Sequence, residues 1–386
     1  MSTIRVSNIQ HGSAGSAAIT LNSDGQATLN GLNYPTAGAL GNRNIIINGA
    51  MDIAQRTTGS VTATGQYPVD RFVTSFSVTS AAISAERQEE APAGLFNSLR
   101  YRMTTAATAG AAEVNNIQHR VEGLNSRYLK WGTAQASNVT LSFWVRSSNA
   151  GTYCVSLRND AGETRRSYVA EYTIQAADTW ERITIPIDGD TGGTWLTTSS
   201  LGINITWDLG SGSNFNGTAD SWLNDENRLN TSNQFNFAGT TGAEFYLTGV
   251  QLEVGDVATP FEHRGFEEEL RRCSRYYQKS YSPGVDPGTA TTAGAVGVRA
   301  DQNTSVNNHV GTVFRQTMRA NPTVTLYSPQ NGAVDRVADY QTNFTFSNNG
   351  TVTGIVGAGQ NGFIGLTLAT TEGPIVTYHY TAAAEL

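Results

Sequence analysis

The sequence lacks most of the devices that staple or anchor a chain. It has 2 cysteines in 386 residues, too few for a disulfide framework. Cys154 lies in a strand-like run and Cys273 on an apolar helical stripe, so both read as buried thiols. No apolar run reaches the length of a membrane span, and residues 1–16 lack the apolar centre of a secretory signal. Charged residues are scarce, at 15%, and sum to −7. Nucleic-acid binders carry a basic face, so a phosphate-backbone partner is not expected. No fixed-period repeat is present, which argues against the long parallel β-helix of many polysaccharide depolymerases.

Catalytic signatures are missing too. There is no Gly-x-Ser-x-Gly elbow, and His11, His119, His263, His309 and His379 are scattered. Three carboxylate pairs have the close spacing a glycosidase could use: Asp160 with Glu163, Asp188 with Asp190, and Asp225 with Glu226. All lie in Gly-, Asn- and Thr-rich loops, where aspartate is favoured simply as a turn former. No enzymatic activity and no cofactor are expected. The loop Asp188-Gly-Asp190 offers oxygen ligands for a structural calcium but lacks the EF-hand pattern. The sequons at Asn138, Asn204 and Asn343 follow from Asn and Thr richness.

What the chain does have is 40 glycines and many Thr, Asn and Ser residues, the composition of strands joined by turns. Apolar alternation is clean at Val139, Leu141, Phe143 and Val145, at Tyr153, Val155 and Leu157, at Ile183, Ile185 and Ile187, and at Leu201, Ile203, Ile205 and Trp207. One apolar face per strand predicts antiparallel sheets packed face to face. Residues 244–254 read as a strand with Tyr246, Thr248, Val250, Leu252 and Val254 on one face. One amphipathic helix follows. Phe266, Leu270, Cys273 and Tyr277 form its stripe, with Glu267, Glu268 and Glu269 at its start and Arg271, Arg272 and Arg275 near its end, as the helix dipole favours.

The reading is an all-β chain. A short extended N-terminal segment spans 1–40, a jelly-roll β-sandwich 41–264, a linking helix 265–280, and a smaller β-sandwich-like domain 281–386. Strands in the last are expected at 295–299, 310–316, 323–326, 342–347, 362–369 and 375–380, with Asn348–Gly350 as a turn. The outward faces of two strands of the large domain carry Trp144, Arg146, Trp180 and Arg182. A sugar stacks its apolar face on an aromatic ring while its hydroxyls take polar partners, so these four are the candidate glycan site. Exposed Trp and Arg suit a subunit interface equally well.

The run GVQLEVGDVATPFEHRGFEEELRRCSRYYQKSY resembles the segment that closes a jelly-roll module in many bacteriophage virion-attached and tail-fibre proteins with a carbohydrate-binding-module-like domain. Blocks at 42–56, 67–72, 141–148, 179–195 and 206–215 occur in that family's order. The resemblance implies a virion structural protein made in the host cytoplasm and built as a homotrimer. Residues 1–40 would then anchor it to other virion proteins, and the fibre would attach to a host surface glycan. A tail fibre is the preferred setting and a head fibre or decoration subunit the alternative. A depolymerase acting on the host envelope stands further off.

Overall fold

The computed structural model describes residues 7–9, 19–21, 27–29, 32–33, 41–159, 165–224, 227–299, 308–340, 346–368 and 375–386. The chain is all-β. Near its start, Asn8–Ile9, Ile19–Leu21, Ala27–Leu29 and Leu32–Asn33 pair in chain order as a small antiparallel sheet. Ile9 and Leu21 are exposed, as expected of strands too short to enclose a core. Most of the 1–40 segment lies outside the described residues.

The large module is a sandwich of two antiparallel sheets. One has six strands, in the order Trp222–Leu223, Ser167–Ile174, Gly151–Arg158, Leu201–Asp208, Asn115–Glu122 and Phe72–Phe76. The other has five, in the order Glu181–Ile187, Val139–Ser147, Glu244–Val254, Ser98–Thr105 and Ala82–Gln88. Alternation decides what meets between them. Leu141, Phe143 and Val145 from the second sheet join Tyr153, Val155, Leu157, Ile203, Ile205 and Trp207 from the first in one continuous core. Each such side chain removed from water contributes about 1.5–3 kcal/mol.

The strand Glu244–Val254 departs from the expected parity. Against Val139–Ser147 its register runs Thr248 with Trp144, then Gln251 with Ser142. Three steps oppose two, which is a β-bulge. Gly249 takes φ +59° to make it, a conformation that costs glycine little. Phe245 and Leu247 before the bulge, and Val250 and Leu252 after it, therefore all enter the core. Tyr246 and Thr248 face outward, not inward with Val250 and Leu252.

The helix spans Phe266–Ser274 and its expected charge order is present. Its stripe is shorter than the spacing predicts. Phe266 is 54% exposed, whereas Leu270, Cys273 and Tyr276 pack with Ile47 and Ile53 of the large module. Tyr277 belongs not to the helix but to the strand Tyr277–Lys279, which pairs with Ile375–Ala383. Both thiols are buried and unbridged.

In the C-terminal module, Ile375–Ala383 is the central strand. It pairs with Tyr277–Lys279, Val296–Arg299, Thr323–Tyr327 and Arg336–Tyr340. The sheet continues through Phe346–Val356 and Gly362–Leu368 to Asn308–Val313. Phe314, Met318, Leu326, Phe363, Leu366 and Tyr378 lie in its core. Two expectations change here. Residues 348–350 sit inside a strand, paired with Asp339, Ala338 and Val337, so tertiary pairing overrides the turn propensity of Asn-Asn-Gly. Of the expected strand 342–347, residues 342–345 lie outside the described ones, as does Asn343.

Candidate glycan-binding site

At one end of the sandwich three tryptophans meet. Trp131 follows a short 3-10 turn, Arg127–Leu129, and is flanked by Lys130 at φ 54° and Gly132 at φ +84°. That reversal brings residue 132 against the 190–195 loop: a Cβ on Gly132 would approach the Gly193 carbonyl to 2.8 Å and Trp195 Cδ1 to 3.3 Å. The indoles of Trp131 and Trp195 meet edge to face with centroids 4.7 Å apart, Trp131 and Trp222 at 5.3 Å, and Trp195 and Trp222 at 5.5 Å. Tyr168 adjoins Trp222 at 5.3 Å. Each such contact is favourable by about 0.5–1.5 kcal/mol beyond area burial.

Every indole N–H in the trio is held. Trp131 donates to the Ser137 carbonyl at 2.8 Å, Trp222 to the Asp188 carbonyl at 2.8 Å, and Trp195 to Asp190 Oδ2 at 3.0 Å. Asp190 is itself fixed by Arg166, whose Nη2 lies 2.7 Å from Oδ1 and whose Nε lies 3.0 Å from Oδ2. The rings are thus pre-oriented. Beside them opens a cavity of about 400 Å³ whose walls include Trp131, Trp195, Arg127, Lys130, Thr133 and Gln135. Trp131 is buried; Trp195 is partly exposed and forms the aromatic wall. A ring wall with hydroxyl, amide and cationic groups around it suits the two-sided chemistry of a sugar.

The four residues singled out by alternation lie together elsewhere, on the outer face of the five-stranded sheet. Trp144 and Leu95 close over Gly249, where an added Cβ would come within 2.9 Å of each. Arg146 pairs with Glu90 and lies 4.1 Å over the Tyr246 ring and 5.7 Å from that of Trp180. Trp180 meets Tyr246 edge to face at 6.1 Å, and Arg182 donates to the Thr259 carbonyl at 2.6 Å. These cations and rings are largely occupied with one another.

The Asp188–Asp190 loop is built differently from a calcium cradle. Asp190 is buried with both oxygens facing Arg166, and it accepts the Gly192 N–H at 3.0 Å. A cation at that carboxylate would have to displace the guanidinium. Among the described residues, no three His, Cys, Asp or Glu side chains are grouped to hold a metal ion. The pairs Asp160 with Glu163 and Asp225 with Glu226 lie outside the described residues, as does His11.

The remaining histidines are set in packing rather than in a reactive group. His119 is buried against Phe72, at 4.8 Å between ring centroids, and its Nε2 is 3.1 Å from the Ile47 carbonyl oxygen. Burial, with Arg71 nearby, lowers its pKa to about 3. His379 stacks on Tyr281 at 3.8 Å, and His263 adjoins Phe261 at 5.0 Å. The His309 side chain is outside the described ones. Burial raises the Cys154 thiol to about 12, so it is not a ready thiolate.

Sequence reasoning missed Trp131, Trp195 and Trp222. The only local signal is a nearby glycine at two of them, Trp131-Gly132 and Gly193-Thr194-Trp195, and nothing local brings the three together.

No family model matches the sequence, and no curated protein does. Among solved structures, partial likenesses are found. One is a proposed sugar-binding protein of Bacteroides thetaiotaomicron VPI-5482, at 11% identity and a TM-score of 0.32, covering 55% of this chain and 100% of that one. Another is the CBM22-2 xylan-binding domain of Paenibacillus barcinonensis Xyn10C, at 14% identity and 0.28, covering 50% and 98%. A third is the enzymatically active domain of bacteriophage CBA120 tailspike protein 4, at 12% and 0.30, covering 55% and 21%. The chain is an all-β protein whose large module is a sandwich of two antiparallel sheets. Likeness at this level carries no inference about activity.

Proposed function

We propose that this chain is a non-catalytic glycan-binding structural protein, with the Trp131–Trp195 cavity as its sugar site. The observation that carries the reading is the locked tryptophan trio beside an open cavity. An interior needs no gap next to a partly exposed indole, whereas a sugar needs both the ring and the space. The resemblance of several sequence blocks to phage virion proteins suggests the setting: a fibre subunit, preferably of the tail, acting as a homotrimer that adheres to the host surface. Several weak sites per trimer would then act by avidity.

The test is binding of the purified chain to a panel of neutral oligosaccharides and to host envelopes, beside Trp195→Ala. The expected result is binding that the variant loses at least tenfold, with its fold retained. Equal binding by the variant, or none by either protein, overturns the site. Immunogold microscopy of phage particles with antibody to residues 281–386 tests the setting. Gold on tail fibres supports it, gold over the head moves the protein to the capsid surface, and unlabelled particles remove it from the virion exterior.

A further inference from the structure

The strand Leu201–Asp208 starts beside the tryptophan cavity, which Ile203 helps to line, and runs away from it to Asp208. Trp207 and Leu209 enter the core, so by alternation Asp208 turns to the other face of its sheet. There the 229–237 segment crosses it and leaves it fully buried. One carboxylate oxygen takes every donor. Gly210 and Ser211 donate their backbone N–H groups to Oδ1 at 3.0 and 2.9 Å, Gln234 Nε2 donates at 2.7 Å, and Asn230 Nδ2 at 3.3 Å. All four donors are neutral, so nothing in this hydrogen-bonded group offsets the carboxylate charge. Burial, the largest influence, raises the Asp208 pKa, and its hydrogen bonds, that of Ser211 foremost, only oppose this.

Three oxygens are left over. Asp208 Oδ2, Asn230 Oδ1 and Gln234 Oε1 are each buried and accept no hydrogen bond. Each shares a carbon with an atom of the Oδ1 contacts, so the three stand around one carboxylate. The amides cannot simply turn over, because that would set their oxygens against Oδ1; Asn230 Nδ2 is held further by the Ser211 carbonyl at 2.9 Å. Buried acceptors without donors are unfavourable, and acceptors cannot satisfy one another. A single water has two hydrogens for three oxygens and leaves the charge in place. A metal ion, seated about 2.3–2.6 Å from its oxygens, offsets both. A polar cavity of about 270 Å³, lined by Ser211, Asn230, Thr231 and Gln234 among others, opens beside the cluster. It supplies an entry path and room for water ligands.

We propose that this cluster binds a calcium ion, with Asp208 Oδ2, Asn230 Oδ1 and Gln234 Oε1 as its protein ligands and water completing the shell. The donor set is oxygen only, which suits a hard cation, and it is too irregular for the strict octahedron of magnesium. With one carboxylate, affinity falls in the weak range, on the order of 10⁻⁴–10⁻³ M. The ion ties the strand end to the segment that delivers Phe237 to the core, so binding stabilises the fold. The residues differ from those of the tryptophan cavity and of the Asp188–Asp190 loop, and the proposal does not rest on the glycan reading.

The experiment is thermal melting of the full chain, stripped with a chelator, as calcium chloride is titrated in, beside magnesium chloride and potassium chloride at equal ionic strength. Two variants accompany it. Asp208→Asn keeps the shape of the side chain and removes its charge, and Gln234→Glu adds a second carboxylate at a ligand position. A saturable rise in melting temperature with calcium, absent with the other salts, supports the proposal when Asp208→Asn weakens it at least tenfold and Gln234→Glu shifts it to at least threefold lower calcium. Tighter binding in Gln234→Glu is a gain that a purely structural role for these residues would not give. Should Asp208→Asn fail to fold, Gln234→Glu alone decides. Equal melting with and without calcium overturns the proposal, and so does an equal response to all three salts. A calcium response unchanged in either folded variant also overturns it, since the ion then lies elsewhere on the chain.

Discussion

Arg71, enclosed in the large module, pairs its guanidinium with Glu385, 314 residues further along the chain. The same guanidinium lies 3.5 Å over the Tyr276 ring, and Glu385 also receives Arg56 at 2.6 Å. Arg56 in turn lies 3.9 Å over Tyr277. Arg275 grips Glu122 through two hydrogen bonds of 2.8 and 2.6 Å. The junction of the modules is thus a welded joint, in which the helix and the strand after it are both clamped to the sandwich.

Removing the acidic partner leaves a buried guanidinium without its ion pair. Glu385→Ala should lower stability by roughly 3–5 kcal/mol, read as a shift of the urea midpoint. An unchanged midpoint would mean the pair contributes nothing to the joint.

The helix gives a paired comparison. Cys273→Asp buries a charge among Ile47, Ile53 and Tyr276 and should cost at least ~3 kcal/mol. Phe266→Asp, at an exposed position in the helix's first turn, should lie within about 0.5 kcal/mol of wild type. Equal melting of the two variants would refute the assigned stripe.

The bulge predicts strain. Gly249→Ala puts a Cβ at positive φ and within 2.9 Å of Leu95 and Trp144, so it should cost about 1–3 kcal/mol and alter the near-ultraviolet signal of Trp144. A silent substitution would show that the bulge is not formed.

His119 makes stability pH-dependent. Its folded pKa, about 3, lies below the ordinary histidine value, so below pH 6.5 the unfolded chain binds the extra proton. The stability this group confers is whole above about pH 6.5 and is lost as pH falls toward 3, by up to roughly 4–5 kcal/mol. His119→Gln should lose less stability than wild type between pH 7 and pH 4 in urea titrations. Parallel losses would place the acid sensitivity elsewhere.

Trp131 and Trp195 should separate structure from binding. Trp131, buried in the core cluster, should cost about 3–5 kcal/mol on mutation to Ala. Trp195→Ala should cost less in melting and more in sugar binding. The opposite order would reverse their roles.

Sequence alone determined the β class, the buried thiols and the helix with its charge order. These follow from local periodicity, since a strand shows its two faces every second residue and a helix its stripe every third or fourth. Parity failed at Gly249, because one inserted residue moves the inward face and only pairing with Val139–Ser147 reveals it. Likewise Asn348–Gly350 read as a turn until a partner strand claimed it. The tryptophan trio was decided by tertiary structure alone. Its members are far apart in sequence, and what places them side by side is the way loops and an edge strand meet in the fold, which no local pattern encodes.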